Sequence, residues 1–391
     1  MIASTLIRSD EARLLPEFPE YLRSLKPYVP GKPIEETQRE FGVKKVVKLA
    51  SNENPLGISP KALQAIKRAL TDLHRYPDAS AFHLKKALAK KLKATPEQIV
   101  LGNGSNEVIE FLLRALCRPG DQMVTSEAAF IAYGICAQIQ GVQTLKAPLA
   151  PGLKFDLQAM AKLCRDNSKV KIVFVANPNN PTGTYVGRAE LESFLQDLRK
   201  IPGRTIVPVL DDAYGEYVTA KDFPDSAEMA RKFSELVVLR TFSKIYGMAG
   251  LRLGYGIARP ELAAMLDRIR QPFNFNNLAL AGARAAIDDT AFVKRSVSLN
   301  QKGLALWRKE LQAMGVATAD IIPTQGNFFL MRVWSAFGVS GGELAADCLK
   351  QGLILRPLAN YGLHEYLRVS IGTEAENRFA LKVLKKRIHE R

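Results

Sequence analysis

The 391-residue sequence is poor in cysteine and histidine, with four of each. The cysteines form no CxxC pair and the histidines no HExxH motif, so the sequence contains neither a recognisable disulfide framework nor a metal motif. We expect free thiols in a reducing compartment and no bound metal. The sequence also lacks an apolar run near the roughly 20 residues that cross a bilayer. Its opening, MIASTLIRSDEARLLPEF, carries charges where a signal peptide needs an apolar centre, which predicts a cytoplasmic protein without a membrane partner.

Acidic residues are the scarcer charges, because 39 Asp and Glu oppose 55 Lys and Arg, a formal net charge of +16. Such an excess can mark a nucleic-acid-binding protein. In HLKKALAKKLKA (83–94), however, Leu84, Leu88 and Leu92 recur at helical spacing and the lysines fall on the other faces. The C-terminal LKVLKKRIHER repeats this pattern. We therefore expect solvated helix faces, no nucleic-acid partner, and a field that attracts small anions.

Short apolar runs alternate with amphipathic helical segments in the middle of the chain. Runs such as KIVFVA (171–176) and LVVLRT (236–241) are continuous rather than alternating, which is typical of parallel strands buried on both faces. This predicts an α/β fold: a large domain, residues 51–285, with a mostly parallel sheet covered by helices. The pattern over residues 286–391 predicts a smaller α+β domain. Residues 1–50, rich in proline and glycine near LKPYVPGKP, predict an extended N-terminal arm that also contributes to the small domain.

Ligands in such sheets bind beyond the carboxyl ends of the strands, and one glycine-rich stretch lies at such a place. VLGNGSNEVIE (100–110) runs from a strand through Gly102 and Gly104 to a helix that begins near Ser105. Exposed N–H groups at a helix start bind phosphate, although Ser105 or Asn106 as the N-cap of an ordinary turn explains the stretch equally well. It is neither a GxGxxG nor a P-loop motif, which argues against the two common nucleotide sites.

Three further strand ends combine unusual residue types. ANPNNPTG (176–183) follows one apolar run, VLDDAYGEY (209–217) ends another, and TFSKIYGMAGLRLGY (241–255) ends a third. Each alone has an ordinary explanation: a rigid turn, a helix-capping aspartate, and a surface lysine. A lysine amine can also serve as a covalent nucleophile toward an aldehyde.

In this order and spacing, the motifs resemble those of the fold-type I pyridoxal-phosphate aminotransferases. The corresponding segments are NPTG at 180–183, DDAY at 211–214 and SKIYGMAGLRLGY at 243–255. The resemblance implies that Lys244 forms a Schiff base with pyridoxal 5'-phosphate and moves the substrate proton. It implies that Asp211 keeps the pyridine nitrogen protonated, and that Asn180 and Tyr214 donate hydrogen bonds to the ring oxygen.

The resemblance also implies a phosphate site and a second subunit. The phosphate would be held by the residues Ser105, Asn106, Thr241, Ser243 and Arg252. Phe130 occupies the position of the aromatic side chain that stacks on the cofactor ring, in a segment (EAAFIAYG) that departs from the tyrosine and proline-threonine context frequent in the family. Tyr76, in HRYPDAS, resembles the tyrosine that reaches the phosphate of the neighbouring subunit, which predicts a homodimer.

Segments outside the cofactor motifs, LKPYVPGKPIEE (25–36) among them, resemble the histidinol-phosphate aminotransferases of histidine biosynthesis. This implies amino transfer between L-histidinol phosphate and 2-oxoglutarate. The substrate's anionic groups would then meet Tyr28, Arg356 and Arg368, with Asn54 as a further candidate. Aromatic-amino-acid aminotransferases and threonine-phosphate decarboxylases share most of these motifs and remain alternatives. A regulatory or nucleic-acid-binding protein on the same scaffold is an alternative of another class, supported by the net charge alone.

Overall fold

The structure is a computed structural model that describes residues 17–27 and 30–389. Its helices are α1 Glu20–Arg23, α2 Ile34–Phe41, α3 Pro60–Ala69, α4 Phe82–Leu92, α5 Ser105–Leu116, α6 Ala132–Ile139, α7 Leu157–Asp166, α8 Arg188–Arg199, α9 Ser226–Lys232, α10 Pro260–Ile269, α11 Asn277–Ala286, α12 Thr290–Ala313, α13 Trp334–Phe337, α14 Gly341–Lys350 and α15 Glu374–His389. Its strands are β1 Val47–Lys48, β2 Ile99–Gly102, β3 Gln122–Ser126, β4 Gln143–Ala147, β5 Leu149–Ala150, β6 Lys154–Phe155, β7 Val170–Ala176, β8 Val207–Asp211, β9 Val237–Thr241, β10 Gly254–Ile257, β11 Phe328–Arg332, β12 Leu353–Ile354, β13 Arg356–Leu358 and β14 Leu363–Ser370.

The large sheet has, within the described residues, seven strands in the order β2-β10-β9-β8-β7-β3-β4. The pairs from β9 through β4 are parallel, and β10 runs antiparallel to both β2 and β9. Side chains of the central strands are buried on both faces, as continuous apolar runs require. The predicted mostly parallel sheet covered by helices is confirmed, and β10 is its antiparallel exception.

Strand register brings the polar strand ends to one edge of the large sheet. Ala176 at the end of β7 pairs with Asp211 at the end of β8. On the other side, Gly254 of β10 lies between Thr241 of β9 and Gly102 of β2. The loops after four strands therefore start side by side, which is where ligands bind in open α/β sheets.

A separate small sheet has the order β11-β14-β13 and is antiparallel throughout. Its core includes Trp307 of α12 and Phe329 of β11, together with Val47 and Leu49 from the N-terminal part of the chain. The large-sheet core forms a different cluster, which includes Ile172 and Val238. This arrangement agrees with a large α/β unit and a smaller α+β unit, while the boundaries at 50 and 285 remain a prediction.

Two local features differ from the sequence interpretation. The N-terminal part is not simply extended, because α2 forms over Ile34–Phe41 and ends at Gly42 in the left-handed conformation. The segment KALQAIKRAL (61–70) has the apolar spacing of an amphipathic helix and forms most of α3, but Leu63 and the C-cap residue Leu70 are exposed. Across 17–27 and 30–389, no helix is both long and apolar enough to cross a membrane.

Candidate active site

A cavity of about 150 Å³ lies at the edge of the large sheet where the four strand ends meet. The loops after β7, β8 and β9 and the first turn of α5 supply most of its wall. Its lining residues are Ser105, Asn106, Phe130, Tyr133, Ala176, Pro178, Asn180, Asp211, Ala213, Tyr214, Thr241, Ser243, Lys244 and Arg252. Residues that lie up to 147 positions apart in the sequence thus share one cavity, and the predicted cofactor-binding residues other than Tyr76 are among them.

Lys244 follows β9 and extends its amine into this cavity. Its Nζ lies 3.5 Å from the carbonyl oxygen of Ser51 and 5.5 Å from the ring centroid of Tyr214. Within the described part of the chain, this amine forms no salt bridge with a carboxylate. An amine held by a carbonyl and an aromatic face keeps its nucleophilic atom accessible once deprotonated.

Asp211 is the buried carboxylate of the site. Its Oδ2 accepts a 2.6 Å hydrogen bond from the hydroxyl of Tyr133, which stacks on Phe174. Its Oδ1 is buried and has no hydrogen-bond partner among the described residues. Burial raises the pKa of Asp211 to about 6; the hydrogen bond from Tyr133 opposes this rise, and the neighbouring Asp212 adds to it. A buried carboxylate with one unpartnered oxygen, in a residue that lines a cavity, is suited to accept a hydrogen bond from a ligand.

The ANPNNPTG segment divides its asparagines between structure and site. Asn177 bonds through its amide to the backbone of Val186, and Asn179 donates to the carbonyl oxygen of Ala128. Both Asn-Pro peptide bonds in the segment are cis. Asn180 lines the cavity, and its Oδ1 accepts a 2.5 Å hydrogen bond from Nη1 of Arg368. Because a guanidinium only donates, this contact fixes the Oδ1 end of Asn180 and leaves Nδ2 as its donor.

The opposite end of the cavity is formed by hydroxyl groups, a helix start and Arg252. Arg252 adopts a left-handed φ of 52° and donates from Nη1 to Oγ of Ser243 at 3.3 Å. A Cβ added at Gly104 would lie 2.5 Å from Nη2 of Arg252, so glycine permits the guanidinium to approach the start of α5. N–H groups at the start of this twelve-residue helix, with a cation beside them, favour an anion.

The remaining predicted residues lie outside this cavity. Arg356 lines an adjoining cleft of about 1020 Å³, which also contains Phe130. The buried amide of Asn54 donates to the carbonyl oxygen of Ile245 and to Ser296, contacts that join segments of the fold. Tyr76 is 81% exposed and stacks on Phe273. Tyr28 lies outside the described residues, so its predicted role remains a prediction.

The sequence interpretation did not include Tyr133, which the structure places against Asp211. Its signal in the sequence was modest: it follows Phe130 by three positions in FIAYG, the spacing of one helical face. Asn52 was also missed, although its amide contacts the hydroxyl of Tyr214. Both contacts join residues that are distant in the sequence.

Proteins of known family are similar to this chain over nearly its whole length. Residues 44–384 match the family model described as aminotransferase class I and II. The histidinol-phosphate aminotransferase of Anaeromyxobacter sp. (strain Fw109-5) is 46% identical over 370 residues, which cover 95% of this chain and 98% of that protein. The corresponding protein of Bdellovibrio bacteriovorus is 45% identical and covers 94% of this chain and 96% of its own length.

Solved structures share the fold. The histidinol-phosphate aminotransferase of Sinorhizobium meliloti, in complex with pyridoxal-5'-phosphate, aligns with a TM-score of 0.86 at 26% identity, covering 96% of this chain and 98% of that one. An aspartate aminotransferase of Thermus thermophilus with maleate aligns with a TM-score of 0.80 at 19% identity over 95% of this chain and 100% of that one, a likeness of fold alone. The chain therefore belongs to the class I and II aminotransferases and, within them, to the histidinol-phosphate aminotransferases.

Proposed function

We propose that the protein binds pyridoxal 5'-phosphate and transfers an amino group between L-histidinol phosphate and 2-oxoglutarate, giving imidazole-acetol phosphate and L-glutamate in histidine biosynthesis. Relatives 44–46% identical over more than nine tenths of the chain carry the corresponding name, which supports this substrate pair. The solved structure from Sinorhizobium meliloti, named as a complex with pyridoxal-5'-phosphate, supports the cofactor.

The observation that carries the cofactor proposal is the buried Oδ1 of Asp211, which has no partner in the described part of the chain and belongs to a residue that lines the same cavity as Lys244. A protonated pyridine nitrogen would supply the missing donor. The residues at the other end of the cavity, Ser105, Asn106, Thr241, Ser243 and Arg252, supply the hydroxyl, backbone and guanidinium donors that a phosphate accepts. The donor set therefore fits a molecule that has a pyridine nitrogen at one end and a phosphate at the other.

When bound, pyridoxal phosphate supplies a positively charged ring that withdraws electrons from the substrate carbon. Asp211 would keep the ring nitrogen protonated by accepting a hydrogen bond from its N–H group. Nδ2 of Asn180 and the hydroxyl of Tyr214 would donate hydrogen bonds to the ring oxygen, and Phe130 would pack against the ring. Lys244 uses its Nζ both to hold the cofactor and to take the proton from the substrate carbon and return it.

Arg356 and Arg368 suit a substrate with anionic groups. They lie directly opposite each other on the antiparallel strands β13 and β14, which places both guanidinium groups on one face of the small sheet. A carboxylate or a phosphate is matched by a bidentate guanidinium, so the pair can serve the phosphorylated amine and the oxo acid in turn.

The apolar side chains on the surface near Tyr76 support a homodimer. Large apolar side chains exposed between positions 63 and 82 are those of Leu63, Leu70, Leu73, Tyr76 and Phe82, and exposed Phe273 stacks on Tyr76 with ring centroids 4.6 Å apart. Exposed apolar surface of this extent is typical of a protein interface. We propose that a second copy of the chain covers it and that Tyr76 contacts the partner's cofactor phosphate. The cytoplasmic location stays a prediction from the sequence.

The proposed function is tested by half-reactions. The purified protein is loaded with pyridoxal phosphate and mixed separately with L-histidinol phosphate, L-phenylalanine and L-threonine phosphate, and the visible absorption of the cofactor is followed. We expect histidinol phosphate to convert the cofactor to its amine form fastest, and added 2-oxoglutarate to restore the original spectrum. Fast conversion by phenylalanine without conversion by histidinol phosphate would contradict the proposed substrate. The Lys244→Ala variant is the control, because it lacks the amine that moves the proton.

A further inference from the structure

Asn52, in the segment SNENP, is buried and hydrogen-bonded through both its backbone and its side chain. Its φ is 54°, in the left-handed region that asparagine tolerates better than most residues, and it is 1% exposed. Its backbone N–H donates to Oγ of Ser370 at 2.8 Å, and its carbonyl oxygen accepts from Nδ2 of Asn327 at 3.1 Å. Ser370 ends β14 and Asn327 precedes β11, so Asn52 is anchored to the small sheet.

The hydrogen bonds of Asn52 define the direction of its side-chain amide. Because the N–H of Asn52 donates to Oγ of Ser370, the hydroxyl proton of Ser370 is available for Oδ1 of Asn52, which lies 2.8 Å away. The other end of the amide, Nδ2, donates to the hydroxyl oxygen of Tyr214 at 3.0 Å. This assignment leaves no acceptor on Asn52 for the hydroxyl proton of Tyr214.

Tyr214 lines the cavity and is itself held from two further sides. Its ring packs edge-on against Phe328, with centroids 5.2 Å apart, and Lys244 Nζ lies on its ring face. A hydroxyl that accepts a hydrogen bond retains its own proton for a second partner and becomes a stronger donor. The partner available to Tyr214 is a ligand in the cavity.

We propose that Asn52 is a positioning residue that keeps the hydroxyl proton of Tyr214 directed into the cavity, toward the ring oxygen of the cofactor. This inference rests on the proposed function, because the acceptor is a group of pyridoxal phosphate. Asn52 contacts Tyr214 and does not line the cavity, so it would support cofactor binding through Tyr214 alone. It also makes the small sheet, through Ser370 and Asn327, part of what orients Tyr214.

The Asn52→Asp variant tests the direction of the hydrogen bond with little change of shape. Aspartate accepts where Nδ2 donated, so the hydroxyl of Tyr214 would turn its proton toward position 52 and away from the cavity. The readout is the pH midpoint of the visible absorption change of the pyridoxal-phosphate-loaded protein. Loss of a donor leaves negative charge on the ring oxygen less stabilised, so the midpoint should rise by about one pH unit. We expect a rise of the same size for Tyr214→Phe, which lacks the hydroxyl.

Two further variants separate this mechanism from charge and strain. Asn52→Gly removes the amide without adding a charge and suits the left-handed backbone, so it should raise the midpoint in the same direction even if Asn52→Asp folds poorly. In a Tyr214→Phe background, Asn52→Gly should add little further shift if it acts through Tyr214. Lys93→Gly is the matched backbone control, because Lys93 has a φ of 53° and does not line the cavity, and its midpoint should equal that of the native protein.

The outcomes distinguish this inference from the proposed function. A native protein that never develops visible absorption with pyridoxal phosphate would overturn both. A native protein with normal absorption, and Asn52 variants with an unshifted midpoint, would overturn the positioning role alone. An equal shift from Asn52→Gly in the presence and absence of the Tyr214 hydroxyl would also overturn it, because the effect would then bypass Tyr214.

Discussion

Two adjacent aspartates show how the environment of a single residue decides its chemistry. Asp211 and Asp212 are both buried, and burial raises the pKa of each. Asp212 faces away from the cavity and is neutralised by Arg240, whose Nη2 lies 2.7 Å from Oδ2. Asp211 lines the cavity, where the neutral hydroxyl of Tyr133 donates a hydrogen bond to it. Asp212 therefore stabilises the fold through an ion pair, while Asp211 can still accept a hydrogen bond from a ligand.

The raised pKa of Asp211 predicts pH-dependent cofactor affinity. Because this pKa is about 6, the carboxyl is largely protonated at pH 5 and must ionise to accept a hydrogen bond from a protonated ring nitrogen. The Kd for pyridoxal phosphate should therefore fall as the pH rises from about 5 to 7, as measured by equilibrium titration of the visible absorption. Ionisation of the cofactor phosphate acts in the same direction.

The Asp211→Asn variant separates these two contributions. It should weaken cofactor binding by about 10- to 100-fold at pH 7, the range expected for a hydrogen bond to a charged group, and keep the phosphate-dependent part of the pH profile. If the pH dependence of the Kd in Asp211→Asn equals that of the native protein, Asp211 does not face the ring nitrogen.

The raised pKa of Asp211 also has a consequence for the cofactor-free protein. Its free energy of unfolding should decrease as the pH rises from about 4 to 6, because the folded state binds this proton more tightly than the unfolded state.

At the scale of secondary-structure elements, strand β10 brings the phosphate end of the cavity together. It lies between β2 and β9, and the helix α5 that follows β2 crosses close to it. A Cβ added at Gly254 would lie 2.3 Å from the backbone nitrogen of Ser105, so the first turn of α5 approaches β10 as closely as a glycine allows. This contact sets the position of the helix N-terminus relative to Arg252.

Gly254→Ala should therefore displace the start of α5 and weaken cofactor binding. The clash is with backbone, which cannot rotate away, so we also expect a loss of about 1–3 kcal/mol in the free energy of unfolding. The matched control is Gly250→Ala in the same segment, where an added Cβ meets no atom within 4 Å among the described residues. Calorimetry and cofactor titration should separate the two variants, and equal behaviour would refute the close approach of α5.

At the scale of the whole molecule, the exposed position of Tyr76 conflicts with a role in its own cavity. The side chain stacks on Phe273 at the surface and is not among the cavity-lining residues that the structure describes. Its predicted contact with a cofactor phosphate therefore needs a second subunit. A complete site would then combine Lys244 of one chain with Tyr76 of the other.

Hybrid dimers test this arrangement. Tyr76→Ala and Lys244→Ala should each reduce transamination when expressed alone, the second far more strongly. When both variants are co-expressed with different purification tags, a hybrid dimer should contain one complete site, formed by Lys244 of the first variant and Tyr76 of the second. Activity per hybrid should then reach about half that of the native dimer. Hybrids no more active than Tyr76→Ala alone would place Tyr76 in the site of its own chain.

The sequence by itself determined which elements form and which strand ends bear chemical groups. Continuous apolar runs predicted the strands of the large sheet, and parallel strands align their carboxyl ends, so Asn180, Asp211 and Lys244 had to lie near one edge. The strands, the helix start at Ser105 and the common location of these side chains follow from local patterns and one packing rule. The roles of the individual residues followed from the family resemblance instead.

Tertiary structure alone decided the contacts that orient those groups. The bond between Tyr133 and Asp211 joins residues 78 positions apart, and that between Asn52 and Tyr214 joins residues 162 apart. Leu63 and Leu70 likewise fit the helical pattern of α3 but are exposed, whereas Ala62 of the same helix is buried. Periodicity records how apolar and polar residues are distributed within one element. Which surface that element meets, and which donor meets which acceptor, depends on packing between elements that no local pattern encodes.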